Sequence, residues 1–473
     1  MSLKSLFSAR DMTQGAPWKR ILEFAFPMLL GNFAQQLYNT ADSVIVGIYV
    51  GDNALAAVGS AMPILNLLLA LFVGISTGAG IVISQHFGAR DRDGLSKAIG
   101  NCITLTALAS LLIMVIGPMI TRPFLELLGT PDSIINWCTD YLKIFFWGIA
   151  GFFFYNMLSG VLRGMGDSFT ALLFLLVSAA LNVVLDLWFV AGLGMGVPGV
   201  ALATVIAQGI SAVLCWIKLM RMKDVFDLNL KTLKLVPAMA LRILKIGIPS
   251  GITQAIMATA GMVVQRLTNS MGETVIACNV IIMRVDGFAM LPNMTFGQAM
   301  SVYTGQNVGA GKLDRVHKGV KQGSVMGLVT SAAITGILLL FGKYLFAIFT
   351  ETPELIELAV KMMRVLAVGY ICISVSQVLG GVMRGAGDTV TPMWISILTT
   401  VVLRVPVAYA LAYFTRSAEF PNGHPFALSI SLLVSWTMGM LISIIAYRRS
   451  KVRQVILGKT CEELGVDTPP KLL

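Results

Sequence analysis

Long apolar stretches separated by short polar loops run through almost the whole chain. Each stretch holds about 20 residues or more, the length at which an α-helix crosses the hydrocarbon core of a bilayer. We therefore predict twelve transmembrane helices, called spans 1 to 12. They lie near residues 21–49, 54–84, 95–120, 135–159, 169–192, 198–220, 241–270, 274–304, 315–345, 357–383, 391–415 and 424–447.

The polar loop that precedes span 5 recurs before span 11. Residues 160–170 read GVLRGMGDSFT and residues 381–391 read GVMRGAGDTVT, 221 positions later. The prolines of spans 1 and 7, Pro27 and Pro249, repeat at nearly the same offset. Several matches in one register indicate two homologous halves, as in transporters built from repeats. We predict an all-α integral membrane protein with two pseudo-symmetric six-helix bundles, arranged as parallel repeats.

Composition and the placement of charge agree with this topology. Charged residues make up 12% of the chain, against about 25% in soluble domains. Most of the 35 Lys and Arg residues fall in the tails and in alternate loops, which the positive-inside rule assigns to the cytoplasm. We expect both termini to be cytoplasmic. The net charge of +11 then reflects topology and attraction to anionic lipid, not a nucleic-acid-binding surface.

This topology predicts five regions. We expect a cytoplasmic tail at 1–20, an N-lobe at 21–220, a cytoplasmic linker at 221–240, a C-lobe at 241–448 and a cytoplasmic tail at 449–473.

Motifs of enzymes and ATPases do not occur in the sequence. It has no HExxH, GxSxG or Walker-type loop, and its six cysteines lack CxxC spacing. We therefore expect neither an enzyme nor a bound cofactor, and no use of ATP. Active transport by this chain would have to be driven by an ion gradient.

Polar side chains recur at helical spacing on three spans of the first half. These stripes are Asn32, Gln35, Asn39 and Asp42 on span 1, Ser178, Asn182 and Asp186 on span 5, and Thr204, Gln208 and Ser211 on span 6. Three stripes in one bundle cannot all face lipid, so we expect them to converge. Oxygen ligands would then gather inside the N-lobe, from Asp42, Asn182, Asp186 and Thr204.

Two carboxylates in a low-dielectric pocket can be stabilised in two ways. They can bind a proton, because desolvation and a like-charged neighbour both favour the neutral acid. They can instead bind a hard cation such as Na⁺ through carboxylate, amide and hydroxyl oxygens. The alternative is a structural hydrogen-bond network that ties the helices together. We favour ion coupling, since ionisable groups at membrane depth are costly and usually functional.

The second half does not repeat these acids, because Asp42 falls opposite Val263 or Val264. It carries Arg284 and Asp286 in span 8 and Arg404 in span 11. Asp286 and Arg404 could form a buried structural ion pair. Alternatively, the three charged residues could line a substrate cavity together with Gln35 and Asn39.

At the level of motifs, the chain resembles the multidrug and toxic compound extrusion (MATE) family from about residue 12 to 448. The likeness rests on QQLYNTADSVIVG (35–47), STGAGIVISQHFGAR (76–90), the two RGxGD loops, NVVLD (182–186) and ALATVIAQ (201–208). The first-half acids resemble the DinF-type branch, whose proposed proton or sodium site matches Asp42, Asn182, Asp186 and Thr204. Span 7 has no acidic residue, unlike the NorM-type branch with its glutamate in that span.

The resemblance implies two lobes around a central cleft that opens alternately to either side of the membrane. It implies export of organic cations and amphipathic drugs in antiport with H⁺ or Na⁺, by a monomer in a bacterial plasma membrane. One alternative is a flippase of the same superfamily for lipid-linked precursors, whose anionic cargo would require several cationic residues in the cavity. A channel would require a symmetric pore, whereas the two halves differ in their charged residues.

Overall fold

A computed structural model describes residues 9–127, 130–229 and 231–450, and this part of the chain is helical without any β-strand. The side chains of Asn39, Asp42 and several positions between 43 and 68 lie outside the described part. The first half contains α1 (Pro17–Tyr49), α2 (Asp52–Gly88), α3 (Arg92–Leu127), α4 (Asp132–Trp147), α5 (Ile149–Gly164), α6 (Ser168–Asp186) and α7 (Val197–Met220). The second half contains α8 (Pro237–Ser270), α9 (Glu273–Gly309), α10 (Leu313–Ala347), α11 (Pro353–Gly385), α12 (Val390–Ser396), α13 (Val405–Phe414) and α14 (Phe426–Arg449).

Every predicted span is helical. Ten helices of the described part are long and apolar enough to cross a membrane, and α4 with α5 forms an eleventh span bent by 53°. The remaining predicted span is the 33-residue α1. The bend falls at Gly148, where an added Cβ would collide with the side chain of Val205 in α7. The predicted all-α membrane fold is confirmed.

Two segments depart from α-helical geometry. A π-helical segment, Leu187–Gly192, continues α6, and another, Ile397–Arg404, joins α12 to α13. Such segments are rare, and they often occur at functional sites. Two residues singled out from the sequence lie at the edges of these segments: Asp186, a predicted ion ligand, and Arg404, a predicted ion-pair or substrate-cavity residue.

The chain divides into two compact units. Unit 1 consists of Phe26–Gly251 with the residues before Met12, and unit 2 consists of Met12–Ala25 with the residues from Ile252 onward. The boundaries therefore fall inside α1 and α8, close to Pro27 and Pro249. Each unit has its own apolar core.

The segment expected to be a linker is anchored in unit 1. Arg92 at the start of α3 holds both carboxylate oxygens of Asp227 at 2.8 Å. Further on, Thr104 donates to the carbonyl of Leu233 over 2.6 Å. The side-chain oxygen of Asn101 accepts from the backbone N–H of Val236, directly before α8. The linker thus holds the first turns of α8 against α3, which explains why α8 begins in unit 1.

Glycines let α2 and α8 approach closely inside unit 1. A Cβ added to Gly78 would lie 2.5 Å from the backbone nitrogen of Gly247, and one added to Gly74 would collide with Gly251. Helices that pack at this distance gain van der Waals contact between their backbones, as small residues allow in membrane proteins.

The two RGxGD loops are tight turns whose aspartates cap the next helix. Asp167 accepts from the backbone N–H of Thr170 over 3.0 Å, and Asp388 accepts likewise from Thr391. The glycines before these aspartates have φ of 86° and 96°, which other residues adopt only with strain. Capping satisfies backbone donors at the start of each helix.

The arginine and the aspartate of the first loop contact different partners. Arg163 donates to the hydroxyl of Ser159 over 2.9 Å, whereas Asp167 faces Lys218 at 3.7 Å. Asp167 is already used as the helix cap, and Arg163 points from the last turn of α5 back along its own helix.

Asp91 shapes the turn between α2 and α3. Its carboxylate accepts from the backbone N–H of Gly94 and contacts Nδ1 of His86, both at 2.9 Å. The hydrogen bond from Gly94 is the main reason why the pKa of Asp91 lies below its usual value, with the contact to His86 acting in the same direction. The first turn of α3 is thereby capped by a side chain that prefers to be ionised.

Candidate functional site

The polar stripes of spans 5 and 6 face each other between α6 and α7. Ser178, Asn182 and Asp186 on α6 are all buried. On α7, the hydroxyl of Ser211 donates to the carbonyl of Phe174 in α6 over 3.1 Å. The two stripes predicted from spacing therefore form one polar interface inside unit 1.

Asn182 connects the two helices at the centre of this interface. Its amide lies 3.2 Å from the hydroxyl of Thr204. In the orientation that satisfies both ends of the amide, its nitrogen donates to Oδ2 of Asp186 over 2.8 Å and its oxygen accepts from the backbone N–H of Thr204 over 3.2 Å. The hydroxyl of Thr204 donates to the carbonyl of Val200 in its own helix over 3.1 Å. Three of the four predicted ion-site residues are thus in hydrogen-bond contact.

Asp186 is the ionisable residue of this cluster. Its side chain is fully buried at the last α-helical turn of α6, just before the first π-helical segment. Removing a carboxylate from water is expensive unless a proton, a cation or several hydrogen-bond donors compensate. The oxygens of Asp186, Asn182 and Thr204 are also the ligand types that Na⁺ prefers over nitrogen or sulfur. The cluster can therefore accommodate either ion.

The candidate residues on the first span are Gln35, Asn39 and Asp42 of α1. Asn39 and Asp42 lie on α1, but their side chains are outside the described residues. Gln35, on the same helix, is exposed. The predicted meeting of Asp42 with Asp186 therefore stays a prediction.

In unit 2, Asp286 has a different partner from the one expected. The hydroxyl of Tyr370 in α11 donates to Oδ1 of Asp286 in α9 over 2.6 Å. Arg404 is near enough for its charge to act on Asp286, but no contact ion pair joins these two side chains in the described part of the chain. The expected Asp286–Arg404 pair is thus replaced by a hydroxyl–carboxylate bond, because Tyr370 occupies the facing position on the adjacent helix. Arg284, two residues from Asp286, is exposed and points elsewhere.

Tyr370 was not singled out from the sequence. A tyrosine among apolar residues of a span does not differ visibly from a packing residue. The one sequence feature that points to Tyr370 is its position four residues before Ser374, which places two polar groups on the same face of α11. Only packing showed that this face meets Asp286.

The described residues contain no cluster of three or more His, Cys, Asp or Glu side chains that could hold a metal ion. Five cysteines of the described part are free and buried, as small packing residues are.

These features define a class: a multi-pass helical membrane protein made of two homologous halves, with buried polar clusters inside each. The sequence model of the family described as MatE matches the chain twice, at residues 27–188 and 249–410. The two matches cover more than half of the chain and coincide with the repeat. The chain belongs to the MATE family of transporters. The family consists of transporters rather than enzymes.

Named relatives agree with this assignment. The chain is 31% identical over 84% of its length to the probable multidrug resistance protein YpnP of Bacillus subtilis, covering 89% of that protein. It is 27% identical over 88% of its length to the probable multidrug resistance protein YoeA of the same organism, covering 92% of that protein.

Solved structures show the same fold. One described as an outward-facing conformation of a multidrug resistance MATE family transporter superimposes with a TM-score of 0.87 at 23% identity. The superposition covers 96% of this chain and 99% of that one. A transporter of the MOP superfamily from Pyrococcus furiosus superimposes with a TM-score of 0.85 at 24% identity, covering 95% and 98% of the two chains. At this level of identity the likeness concerns the fold.

Proposed function

We propose that this protein is a secondary active multidrug exporter, which expels cationic or amphipathic small molecules in antiport with H⁺ or Na⁺ by alternating access. The observation that carries the proposal is the Asn182–Asp186–Thr204 cluster, in which Asn182 and Asp186 are buried. The relatives support the cargo class, since they are named multidrug resistance proteins. Buried carboxylates in membrane helices support the driving force, because such groups usually serve ion pathways.

In this proposal, Asp42, Asn182, Asp186 and Thr204 bind the coupling ion. When the ion is absent, ionised Asp186 accepts from the amide nitrogen of Asn182. When Asp186 takes up a proton, rotation of the Asn182 amide presents its oxygen to the new O–H donor and its nitrogen to Thr204. The ion drives transport provided that it binds the two conformations of the carrier unequally.

The proposed substrate contacts are Gln35, Asn39, Arg284, Asp286 and Arg404. Exposed Gln35 and Arg284 can reach a solute directly, whereas Asp286 is held by Tyr370. We place the protein in a bacterial plasma membrane, as a monomer with both termini cytoplasmic. Basic residues concentrated in alternate loops support this orientation.

Purified protein in liposomes tests the proposal. A fluorescent organic cation is loaded, and its efflux is measured under a pH gradient alone and then under a Na⁺ gradient alone. We expect one gradient to drive efflux, and Asp186→Asn to abolish that dependence while the protein stays folded. Asp132→Asn serves as the control, since this exposed aspartate begins α4 outside the cluster.

Efflux that ignores both gradients would contradict antiport. Gradient-driven efflux that survives in both Asp42→Asn and Asp186→Asn would move the coupling site elsewhere. A flippase for lipid-linked precursors is the other candidate function. It would scramble or translocate a labelled polyprenyl phosphate lipid in the same liposomes and leave the cation inside.

A further inference from the structure

The two halves differ in the interface between the second and fourth spans of each repeat. In unit 1, Phe72 of α2 and Phe153 of α5 stack with ring centroids 3.7 Å apart and an interplanar angle of 3°. Both rings are buried. An offset of 221 residues places Asn293 of α9 and Ser374 of α11 at the same two positions in unit 2.

The structure supports this register. A Cβ on Gly164 of α5 would lie 2.6 Å from the carbonyl oxygen of Gly80 in α2. A Cβ on Gly385 of α11 would meet the carbonyl oxygen of Ser301 in α9, 221 positions further on in both helices. The same backbone approach therefore recurs, and a stacked aromatic pair in one unit is matched by two small polar side chains in the other.

A third polar side chain joins this pair. Ser331 of α10 donates to Oδ1 of Asn293 over 2.6 Å. One turn earlier on α10, a Cβ on Gly327 would lie 2.7 Å from the hydroxyl of Ser374, so this hydroxyl points at the same part of α10. Asn293, Ser331 and Ser374 are each at most 1% exposed. Three helices thus direct polar groups toward one buried point.

The described part of the chain leaves two of these polar groups without a hydrogen-bond partner. Among the described residues, neither Nδ2 of Asn293 nor Oγ of Ser374 has a hydrogen-bond partner. Leaving such groups unpaired in the protein interior is costly in free energy. Buried polar groups in proteins are paired, and ordered water is the usual partner where the protein supplies none. The site offers both an N–H donor and hydroxyl groups that donate and accept, which suits water better than a bare cation.

The polar positions continue along the same two helices. Asp286 lies seven residues before Asn293 on α9, and Tyr370 lies four residues before Ser374 on α11, so each pair shares a helix face. Toward the other end of α9, the hydroxyls of Ser301 and Thr304 are buried and also have no hydrogen-bond partner among the residues that the structure describes. The unit 1 counterparts are apolar throughout: Leu65, Ile149, Gly80 and Ile83.

We propose that unit 2 binds a column of ordered water molecules along the α9–α11 interface, centred on Asn293, Ser331 and Ser374. This column extends from Asn293 toward the carboxyl of Asp286, away from the close backbone contact between Gly297 of α9 and Gly381 of α11. It lets Asp286 exchange a proton with water through the protein interior. The groups that face Asp286 are the hydroxyl of Tyr370 and the charge of Arg404. The proposal concerns unit 2 and does not depend on the ion site of unit 1.

Hydroxyl-radical footprinting by X-ray radiolysis tests the water column, because the radicals form from water next to the side chain that they modify. Tyr370, Phe72 and Phe153 are all buried. We expect Tyr370 to be modified in the purified full-length protein, and the two phenylalanines to remain unmodified. Equal, near-zero modification of all three rings would overturn the proposal.

Variants locate the water. Asn293→Leu keeps the approximate volume of the side chain, and Ser374→Ala removes only the hydroxyl. Each should remove most of the modification of Tyr370. Ser110→Ala is the matched control, because Ser110 is the unit 1 counterpart of Ser331 and bonds only within its own helix. Unchanged modification in both test variants would contradict the assignment, and so would modification that disappears when Na⁺ replaces K⁺, which would indicate a cation site.

Infrared spectroscopy tests the proton exchange. The carboxylic acid C=O band that is absent from Asp286→Asn identifies protonated Asp286. We expect this band to shift promptly in D₂O in the native protein and slowly in Asn293→Leu. Absence of the band across the whole pH range in which the protein is folded would overturn the role of Asp286, as would equal exchange rates in the two proteins.

Discussion

Tyr370 and Asp286 join α11 to α9 inside unit 2 through a 2.6 Å hydrogen bond. The carboxylate lies at membrane depth, where an ionisable group needs compensation. The hydroxyl of Tyr370 supplies part of this compensation through its hydrogen bond, without adding a charge. This bond also places Asp286 at one end of the polar interface that distinguishes unit 2 from unit 1.

Tyr370→Phe should therefore destabilise the protein. A hydrogen bond to a charged group is worth about 1.5–3 kcal/mol, and one between neutral groups about 0.5–1.5 kcal/mol. Thermal unfolding in detergent of Tyr370→Phe, Asp286→Asn and the double variant forms a double-mutant cycle. Additive losses would show that the two side chains do not interact.

Asn182 and Thr204 should contribute unequally to coupling. Asn182→Leu removes a bond to Asp186 and should weaken ion dependence about 10- to 100-fold, given about 1.5–3 kcal/mol for a bond to a charged group. Thr204→Val removes a neutral contact and should cost less than about tenfold, whereas Thr204→Ser should retain coupling. The measurement is the ion concentration that gives half-maximal dye efflux from liposomes. Equal effects of Asn182→Leu and Thr204→Val would contradict the central position of Asn182.

Gly78→Ala should destabilise unit 1 by a steric mechanism. Its new Cβ would lie 2.5 Å from the backbone of Gly247, which has no side chain that could move away. Elsewhere in a helix, Gly to Ala is stabilising by about 0.8–1 kcal/mol. Gly261→Ala in α8 is the control, since nothing lies within 4 Å of its Cβ position. The apparent melting temperature should fall for the first variant and rise or stay constant for the second. A similar response of the two variants would rule out close packing of α2 on α8.

Asp91 should make the stability of the folded protein depend on pH under acidic conditions. Hydrogen bonding from Gly94 lowers the pKa of Asp91 in the folded protein. Its contribution is therefore complete above the unfolded pKa of about 3.9 and is lost as the pH falls through the lower folded value. Asp91→Asn keeps a side-chain oxygen for the cap but cannot titrate. Melting temperatures measured from pH 7 downward should fall more steeply in the native protein than in this variant, and parallel curves would show that Asp91 does not contribute.

The polar stripes show how far pattern analysis reaches. Helical spacing was enough to place Asn182, Asp186 and Thr204 on facing surfaces, because two amphipathic helices in lipid bury their polar faces against each other. Spacing could not provide the partner of Asp286. Arg404 has the charge complementary to Asp286, but Tyr370 is the residue that lies within hydrogen-bond distance of it. Which residue lies there depends on how α9, α10 and α11 pack.

The sequence alone determined the membrane class, the helical spans and the two-fold repeat, because these follow from apolar run length and from self-similarity along the chain. Tertiary structure decided which polar groups meet. The start of α1 belongs to unit 2 and the start of α8 belongs to unit 1, although their sequences lie in the other halves. The stacked Phe72–Phe153 pair of unit 1 corresponds to the polar Asn293–Ser374 pair of unit 2. Residues far apart in sequence come together only when the helices pack. The local sequence pattern therefore does not determine which of their side chains are in contact.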